Sequence, residues 1–206
     1  MTIATRFAGP PIVYVLTIIF FLTLALILDG AQITESSRLF LRVSGRTAMF
    51  LLFISFGASA LHRLFHAPWS HYLVTNRRYF GISTGILLWI HFLVILSLSI
   101  TAPAWFEASV PWFILYPGSV TFTLVGLMAL TSNSYSQQAL GLTNWKRLHL
   151  VGGYAALVSF LGEYLLVLYL QPFLLPDYEF VTANTPALAY SLLLVPLLLL
   201  YLRLRK

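Results

Sequence analysis

Six long apolar stretches constrain this chain more than any other feature of its sequence. They cover approximately residues 11–29, 47–64, 79–100, 111–131, 148–170 and 187–202. Each is close to the ~20 residues that a helix needs to cross ~30 Å of hydrocarbon. The stretches are continuously apolar and lack the alternation of a transmembrane β-strand. The pattern therefore predicts an all-α, polytopic membrane bundle of six transmembrane helices.

The composition is that of a membrane protein. Of the 206 residues, 59% are hydrophobic and 9% are charged, which leaves too little polar surface to keep a domain of this length in solution. The connections between the stretches are short, so residues 1–206 are expected to form one transmembrane domain in contact with the lipid bilayer. The chain contains no cysteine, which excludes disulfides, thiolate metal sites and iron–sulfur clusters. Redox chemistry would therefore need a bound cofactor.

The basic residues predict the orientation in the membrane. The three residues Arg38, Arg42 and Arg46 are spaced four apart, so that a helix would carry them on one face, and they lie outside if the amino terminus is inside. The other nine of the twelve cations then lie inside, where cations are enriched: Arg6, Arg63, Arg77, Arg78, Lys146, Arg147, Arg203, Arg205 and Lys206. Both termini are expected in the cytoplasm. The net charge of +6 reflects topology and contact with anionic lipids, and no nucleic-acid binding is expected.

Two ionisable side chains lie deep inside predicted spans. His91 is about 20 Å beyond Arg78 on the third helix, and Glu163 is about 21 Å beyond His149 on the fifth. A charged side chain within a span costs at least about 2.5–3.5 kcal/mol and normally faces the bundle, where it has a partner. His91 and Glu163 are therefore expected to meet. Such a pair would fix two helices by a hydrogen bond, bind a cofactor or handle protons.

The other histidines lie at the inner boundary of the membrane. His149 is only about 3 Å beyond Arg147, at the level of the lipid headgroups. His62 and His66 are four residues apart at the end of the second helix, a spacing that allows two imidazoles to bind one metal. His71 is the nearest candidate for a third ligand. A solvated, histidine-rich connection is the simpler interpretation of these three residues.

The segments around these residues resemble the ferric reductase-like transmembrane domain family, most closely its small bacterial members. The similarity runs from about residue 45 to 170. It rests on "NRRYFGISTGILLWIH" at 76–91, which is similar to the family's pattern of a basic pair, a glycine and then a histidine. It also rests on "LTSN", "LG" and "NWKRLH" between 130 and 149. The expected number of helices agrees with the family as well.

The resemblance implies a function in the bacterial inner membrane. Members of this family hold haem b between the third and fifth helices and pass electrons across the membrane. The electron donor would be a flavin or a quinone at the inner face, supplied by a redox partner protein, and the acceptor would lie outside. Larger members carry two histidines on each of these helices. Here His91 and His149 match one position each, whereas Arg77 and Glu163 occupy the other two.

This departure changes the expected ligand sets. His91 and His149 differ in depth by about 16 Å, whereas two nitrogens that bind one metal are only ~4 Å apart, so they are not expected to share an iron. His91 and His149 would each bind an iron whose second histidine is missing, because Glu163 and Arg77 occupy the other two family positions. An arginine would pair with a haem propionate or a flavin phosphate. The predicted cofactor-binding residues are the iron ligands His91 and His149, with Glu163, Tyr164 or water opposite His91 and with Arg77 or His62 near His149. Arg78, in the same basic pair as Arg77, is also expected to bind the cofactor.

Two other functions remain open. A relative that has lost haem would be a structural or assembly subunit of the membrane. A proton-coupled transporter would use His91 and Glu163 as its buried titrating pair. The chain has no dinucleotide-binding segment, so an oxidoreductase role would depend on a partner protein.

Overall fold

The computed structural model describes residues 9–28, 33–166 and 186–205. Within these ranges the chain is helical and forms no strand. In chain order the helices are α1 (Pro11–Leu28), α2 (Ile33–Phe65), α3 (Pro68–Thr101), α4 (Pro103–Ser109), α5 (Trp112–Leu130), α6 (Ser134–Leu140), α7 (Leu142–Leu165) and α8 (Pro186–Leu204).

Four long apolar helices make this an integral membrane protein. Helices α3, α5 and α7, and residues Ser36–Phe65 of α2, are long and apolar enough to cross a bilayer. Shorter apolar segments, Pro11–Leu22 and Leu193–Leu204, belong to α1 and α8. The prediction of an all-α membrane protein is confirmed, whereas the number of six spans stays a prediction.

Helices α2 and α3 form a tight hairpin, and both extend beyond the apolar stretches that predicted them. The second stretch was expected at 47–64, but α2 already begins at Ile33. The connection expected at 65–78 is short, because α3 begins at Pro68. Proline is favoured in the first turn of a helix, where its missing N–H would have no partner. The backbone N–H of Ala67 donates to Ser70 Oγ over 3.1 Å, which closes the turn.

Five helices close into a ring. Helix α2 packs on α3, α3 on α5, α5 on α7 and α7 on α8, and α8 returns to α2. Helix α1 packs on the outside of this ring, against α3 and α2. The centre is filled by small and aliphatic side chains that are almost completely buried, among them Ala48, Met49, Leu88, Ala156 and Leu157. Cavities lie between the helices toward the two ends of the ring.

Glycines set the spacing between neighbouring helices. A Cβ atom added to Gly85 would lie 2.5 Å from the Cβ of Ala129, so α3 and α5 approach closely there. A Cβ on Gly126 would overlap the indole of Trp89, and a Cβ on Gly152 would overlap the side chain of Met128. Small residues of this kind let membrane helices pack backbone to backbone.

Candidate functional site

The first cavity lies between α2, α3, α5 and α7, in what the predicted orientation makes the outer half of the bundle. Its volume is about 150 Å³, and we call it the outer cavity. Most of its wall is apolar. The polar and charged residues in the wall are Arg42, Arg46, His91, Ser109, Thr121, Ser159, Glu163 and Tyr164. The structure therefore brings His91, Glu163 and Tyr164 to one cavity.

His91 is held by Ser44, on α2. Its Nδ1 lies 2.8 Å from Ser44 Oγ, while the Ser44 hydroxyl donates to the carbonyl of Phe40 over 2.7 Å. The hydrogen bond with Ser44 occupies Nδ1, so Nε2 is the ring nitrogen that Ser44 does not contact. The imidazole also contacts the ring of Phe122, at 5.7 Å between centroids.

Glu163 shares this cavity but does not bond to His91. Within the described ranges, no hydrogen bond joins its carboxyl group to another residue. Arg42 and Arg46 line the same cavity from α2. The location of Arg42 and Arg46 explains why two of the three cations are found on the outer side of the membrane in the predicted orientation. Their side chains line a cavity between the helices, on the common helix face that their spacing predicts.

The second cavity lies at the opposite end of the bundle, between α2, α3, α5, α7 and the end of α8. Its volume is about 600 Å³, within the ~300–1,000 Å³ of typical ligand sites. We call it the inner cavity. Four cations line it: Arg77, Arg78, Lys146 and Arg203. His149 lines the same cavity, so the structure brings His149 to one cavity with Arg77 and Arg78.

His149 is fixed in place by a stacked tryptophan. The rings of Trp145 and His149 lie 4.2 Å apart at an angle of 34°. Trp145 is itself held, because its Nε1 donates to the carbonyl of Thr131 over 2.9 Å. The Nε2 atom of His149 is buried and has no hydrogen-bond partner among the described residues. Nε2 of His149 is therefore not hydrogen-bonded to any residue that the structure describes.

Two of the arginines are positioned by neighbouring helices. Arg77 Nη1 donates to Ser59 Oγ on α2 over 2.9 Å. Arg203 Nη1 donates to the carbonyl of Phe56 over 3.1 Å, and its guanidinium lies 4.0 Å from the centroid of the Phe56 ring. Arg203 has no predicted role in a site, because nothing in the sequence of the last span indicates which cavity its cations approach.

His62 does not line the inner cavity. Its ring lies among those of His66 and His71, and its Nδ1 is 3.0 Å from Ser70 Oγ. Within residues 9–28, 33–166 and 186–205, no group of three or more His, Cys, Asp or Glu side chains has an arrangement that would hold a metal ion as it stands.

The fold and the cavities define a class, an all-helical integral membrane protein with a small outer cavity and a larger, cationic inner one. No protein-family model matches the chain, and no curated protein is significantly similar to it. The resemblance to the ferric reductase-like family therefore depends on the quoted motifs, and the function must be argued from the cavities.

Proposed function

We propose that this protein is a haem b-binding electron-transfer subunit of a bacterial inner membrane, with six transmembrane helices and both termini in the cytoplasm. The observation that carries the proposal is the inner cavity, which combines an imidazole with four cations in a space of about 600 Å³. Helices α1 and α8, of 18 and 19 residues, would be the first and last spans.

The residues of the inner cavity fit the chemical groups of a haem. The iron needs an imidazole nitrogen, and Nε2 of His149 has no partner in the described part of the chain. The two propionates need cations, which Arg77, Arg78, Lys146 and Arg203 provide. The macrocycle needs apolar walls, which residues such as Leu52, Val125 and Ala156 provide. Haem, when bound, supplies one-electron redox chemistry.

The residues around the cavity would bind and orient the cofactor. His149 would hold the iron, and the stacked Trp145 would keep the imidazole in one orientation. Arg77 would pair with a propionate, since a guanidinium matches a carboxylate by two parallel hydrogen bonds. Gly153 leaves the wall open, because a Cβ there would have only a distant contact with Phe56 at 3.9 Å.

The electron donor would reach the cavity from the inner side. A flavin or a quinone, carried by a redox partner protein or by the membrane, fits a cavity lined by cations. A redox partner protein would supply the electrons. The acceptor would lie on the outer side.

The outer cavity supports a second candidate function. Its volume of about 150 Å³ is below the ~300 Å³ of the smaller ligand sites, so it is a poor fit for a second haem at His91. Its walls nevertheless combine His91 and Glu163 inside the membrane, where ionisable groups usually mark a pathway for protons or solutes. A proton-coupled transporter that uses this pair is therefore the alternative.

Haem content distinguishes these functions. The full-length protein would be expressed with ample haem and purified in detergent, and its Soret absorbance compared with that of His149→Ala, His91→Ala and the exposed control His71→Ala. We expect His149→Ala to lose most of the haem, while His91→Ala and His71→Ala keep it. A colourless wild-type protein would contradict the haem proposal and would fit both the transporter and the structural or assembly subunit. Loss of haem in His91→Ala alone would contradict the placement in the inner cavity.

A further inference from the structure

Two charged side chains of the outer cavity do not satisfy each other. Arg46 reaches the cavity from α2, and Glu163 reaches it from α7. Neither forms an ion pair or a hydrogen bond with another residue in the described part of the chain. A charged group inside a membrane normally has a partner, because it loses its hydration there. We propose that the outer cavity binds a small organic acid, with the carboxylate on Arg46 and a short alkyl chain against the apolar wall.

The charges of the lining favour an anion. Arg42 and Arg46 are permanently charged, whereas Glu163 is the one acidic residue among the described residues of the lining. His91 adds either no charge or a positive one. The lining therefore carries a net charge of at least +1, whether or not Glu163 is ionised. A carboxylate offsets this charge, and it binds a guanidinium through two parallel hydrogen bonds.

The rest of the wall indicates that the anion is organic. The hydroxyl oxygens of Thr121 and Ser159 lie 2.6 Å apart and bond to each other, so they do not need a ligand. The wall is otherwise formed mostly by aliphatic and aromatic side chains, among them Leu41, Leu88, Ile95, Ile114 and Phe122. An alkyl chain would cover this surface, whereas an inorganic anion such as chloride would leave it bare.

The volume of the cavity limits the length of the acid. The outer cavity has a volume of about 150 Å³. An engineered apolar cavity of about 150 Å³ in another protein binds benzene, and butyrate is a molecule of similar size. Octanoate is too long for such a space. Acids of the size of butyrate are therefore the expected class of ligand.

The ligand would enter from the outer end of the bundle. Ser109 and Val110, at the end of α4, line the cavity. Arg38 lies further toward this end on α2, and its guanidinium is 5.9 Å from the ring centroid of Trp105 on α4. Arg38, Arg42 and Arg46 follow one another at steps of about 6 Å along the helix axis. Positive charge therefore leads from α4 to the cavity, where it would attract an anion.

Binding of radiolabelled butyrate to the full-length protein in lipid nanodiscs tests the proposal. We expect saturable binding of one butyrate per chain. Unlabelled butyrate should displace it, whereas butyramide and n-butylammonium at the same concentration should not. Among competing acids, affinity should rise about fourfold per methylene group from acetate to butyrate, because each added group is buried. It should fall again at octanoate, which exceeds the cavity.

Charge variants locate the site. Arg46→Gln should bind butyrate at least tenfold more weakly than the wild type. Arg147→Gln is the matched control, because Arg147 is an exposed cation that lines neither cavity, and it should bind like the wild type. Glu163→Gln should bind butyrate at least as tightly as the wild type, since the negative charge in the lining is removed.

Three results would overturn the proposal. The first is the absence of saturable butyrate binding in the wild type, which is measured without any substitution. The second is displacement of butyrate by n-butylammonium. The third is loss of binding in Arg77→Gln, in the inner cavity, while Arg46→Gln keeps it. The proposal does not depend on the haem, so Soret absorbance of the same samples shows separately whether the proposed function fails.

Discussion

Ser44 and Ser70 are both completely buried, and each lies within hydrogen-bond distance of the Nδ1 atom of a histidine. In both cases the serine hydroxyl also lies within hydrogen-bond distance of a backbone carbonyl. The effect is the same for His91 in the outer cavity and for His62 at the hairpin. The serine holds the ring through Nδ1, and Nε2 is the ring nitrogen that the serine does not contact.

Replacement of Ser44 by alanine should destabilise the protein. The substitution leaves Nδ1 of His91 without its hydrogen-bond partner on α2, and a buried unsatisfied polar group costs about 1–3 kcal/mol. Ser97→Ala is the matched control, because Ser97 is on the same helix as His91 but is exposed and bonds only to the carbonyl of Val94. The free energy of unfolding, measured in detergent by titration with sodium dodecyl sulfate, should fall in Ser44→Ala only. Equal values for the two variants would refute the assigned role of Ser44.

The depth of the site residues could be predicted from the sequence, but their partners could not. The rise of a helix is constant, so counting residues placed His91 and Glu163 at one level, and both line the outer cavity. Ser44 precedes His91 by 47 residues and belongs to a different helix. Such a contact depends on how α2 and α3 rotate against each other, and a serine between two arginines of the sequence gives no signal of it.

Helix α2 shows why the limits of an element differ from those of an apolar stretch. The expected span began at residue 47, because Arg38, Arg42 and Arg46 interrupt the apolar residues before it. The helix nevertheless runs through all three. Arg42 and Arg46 line the outer cavity, and Arg38 lies 5.9 Å from the ring centroid of Trp105. A charged residue ends an apolar stretch without ending the helix when the bundle provides a polar surface for it.

The contact between α3 and α5 should be sensitive to a single methyl group. In Gly85→Ala the new Cβ would lie 2.5 Å from the Cβ of Ala129 and 3.4 Å from the carbonyl oxygen of Val125. Neither neighbour is a flexible side chain, so the helices must move apart, at a cost of about 1–3 kcal/mol. Gly162→Ala is the control, since a Cβ there meets nothing within 4 Å. The melting temperature in detergent should fall for Gly85→Ala and stay constant or rise for Gly162→Ala.

At the scale of the whole molecule, the ring of helices separates two polar cavities. Along α7, Ala156 lines the inner cavity and Ser159 the outer one, so they approach within about 4.5 Å along the helix axis. The two cavities differ in charge. The inner cavity has cations and no acidic residue in its lining, whereas the outer cavity has Glu163 together with its two arginines. The cationic end is therefore the one expected to attract propionates, phosphates or anionic lipids.

The location of Arg42 and Arg46 also affects the argument for the orientation of the protein in the membrane. Arg42 and Arg46 line a cavity inside the bundle, so they are not loop cations of the kind that determine topology. Four of the cations expected inside, Arg77, Arg78, Lys146 and Arg203, line the inner cavity in the same way, so the orientation stays a prediction from the distribution of cations along the sequence.

Labelling of single cysteines tests this orientation, since the natural chain has none of its own. Glu107, on α4, and Tyr135, on α6, are exposed and lie on either side of α5. In intact cells a membrane-impermeant maleimide should label Glu107→Cys, whereas Tyr135→Cys should react only after the membrane is permeabilised. The opposite pattern would reverse the orientation and place the inner cavity at the outer face. Labelling of both variants in intact cells would show that α5 does not cross the membrane.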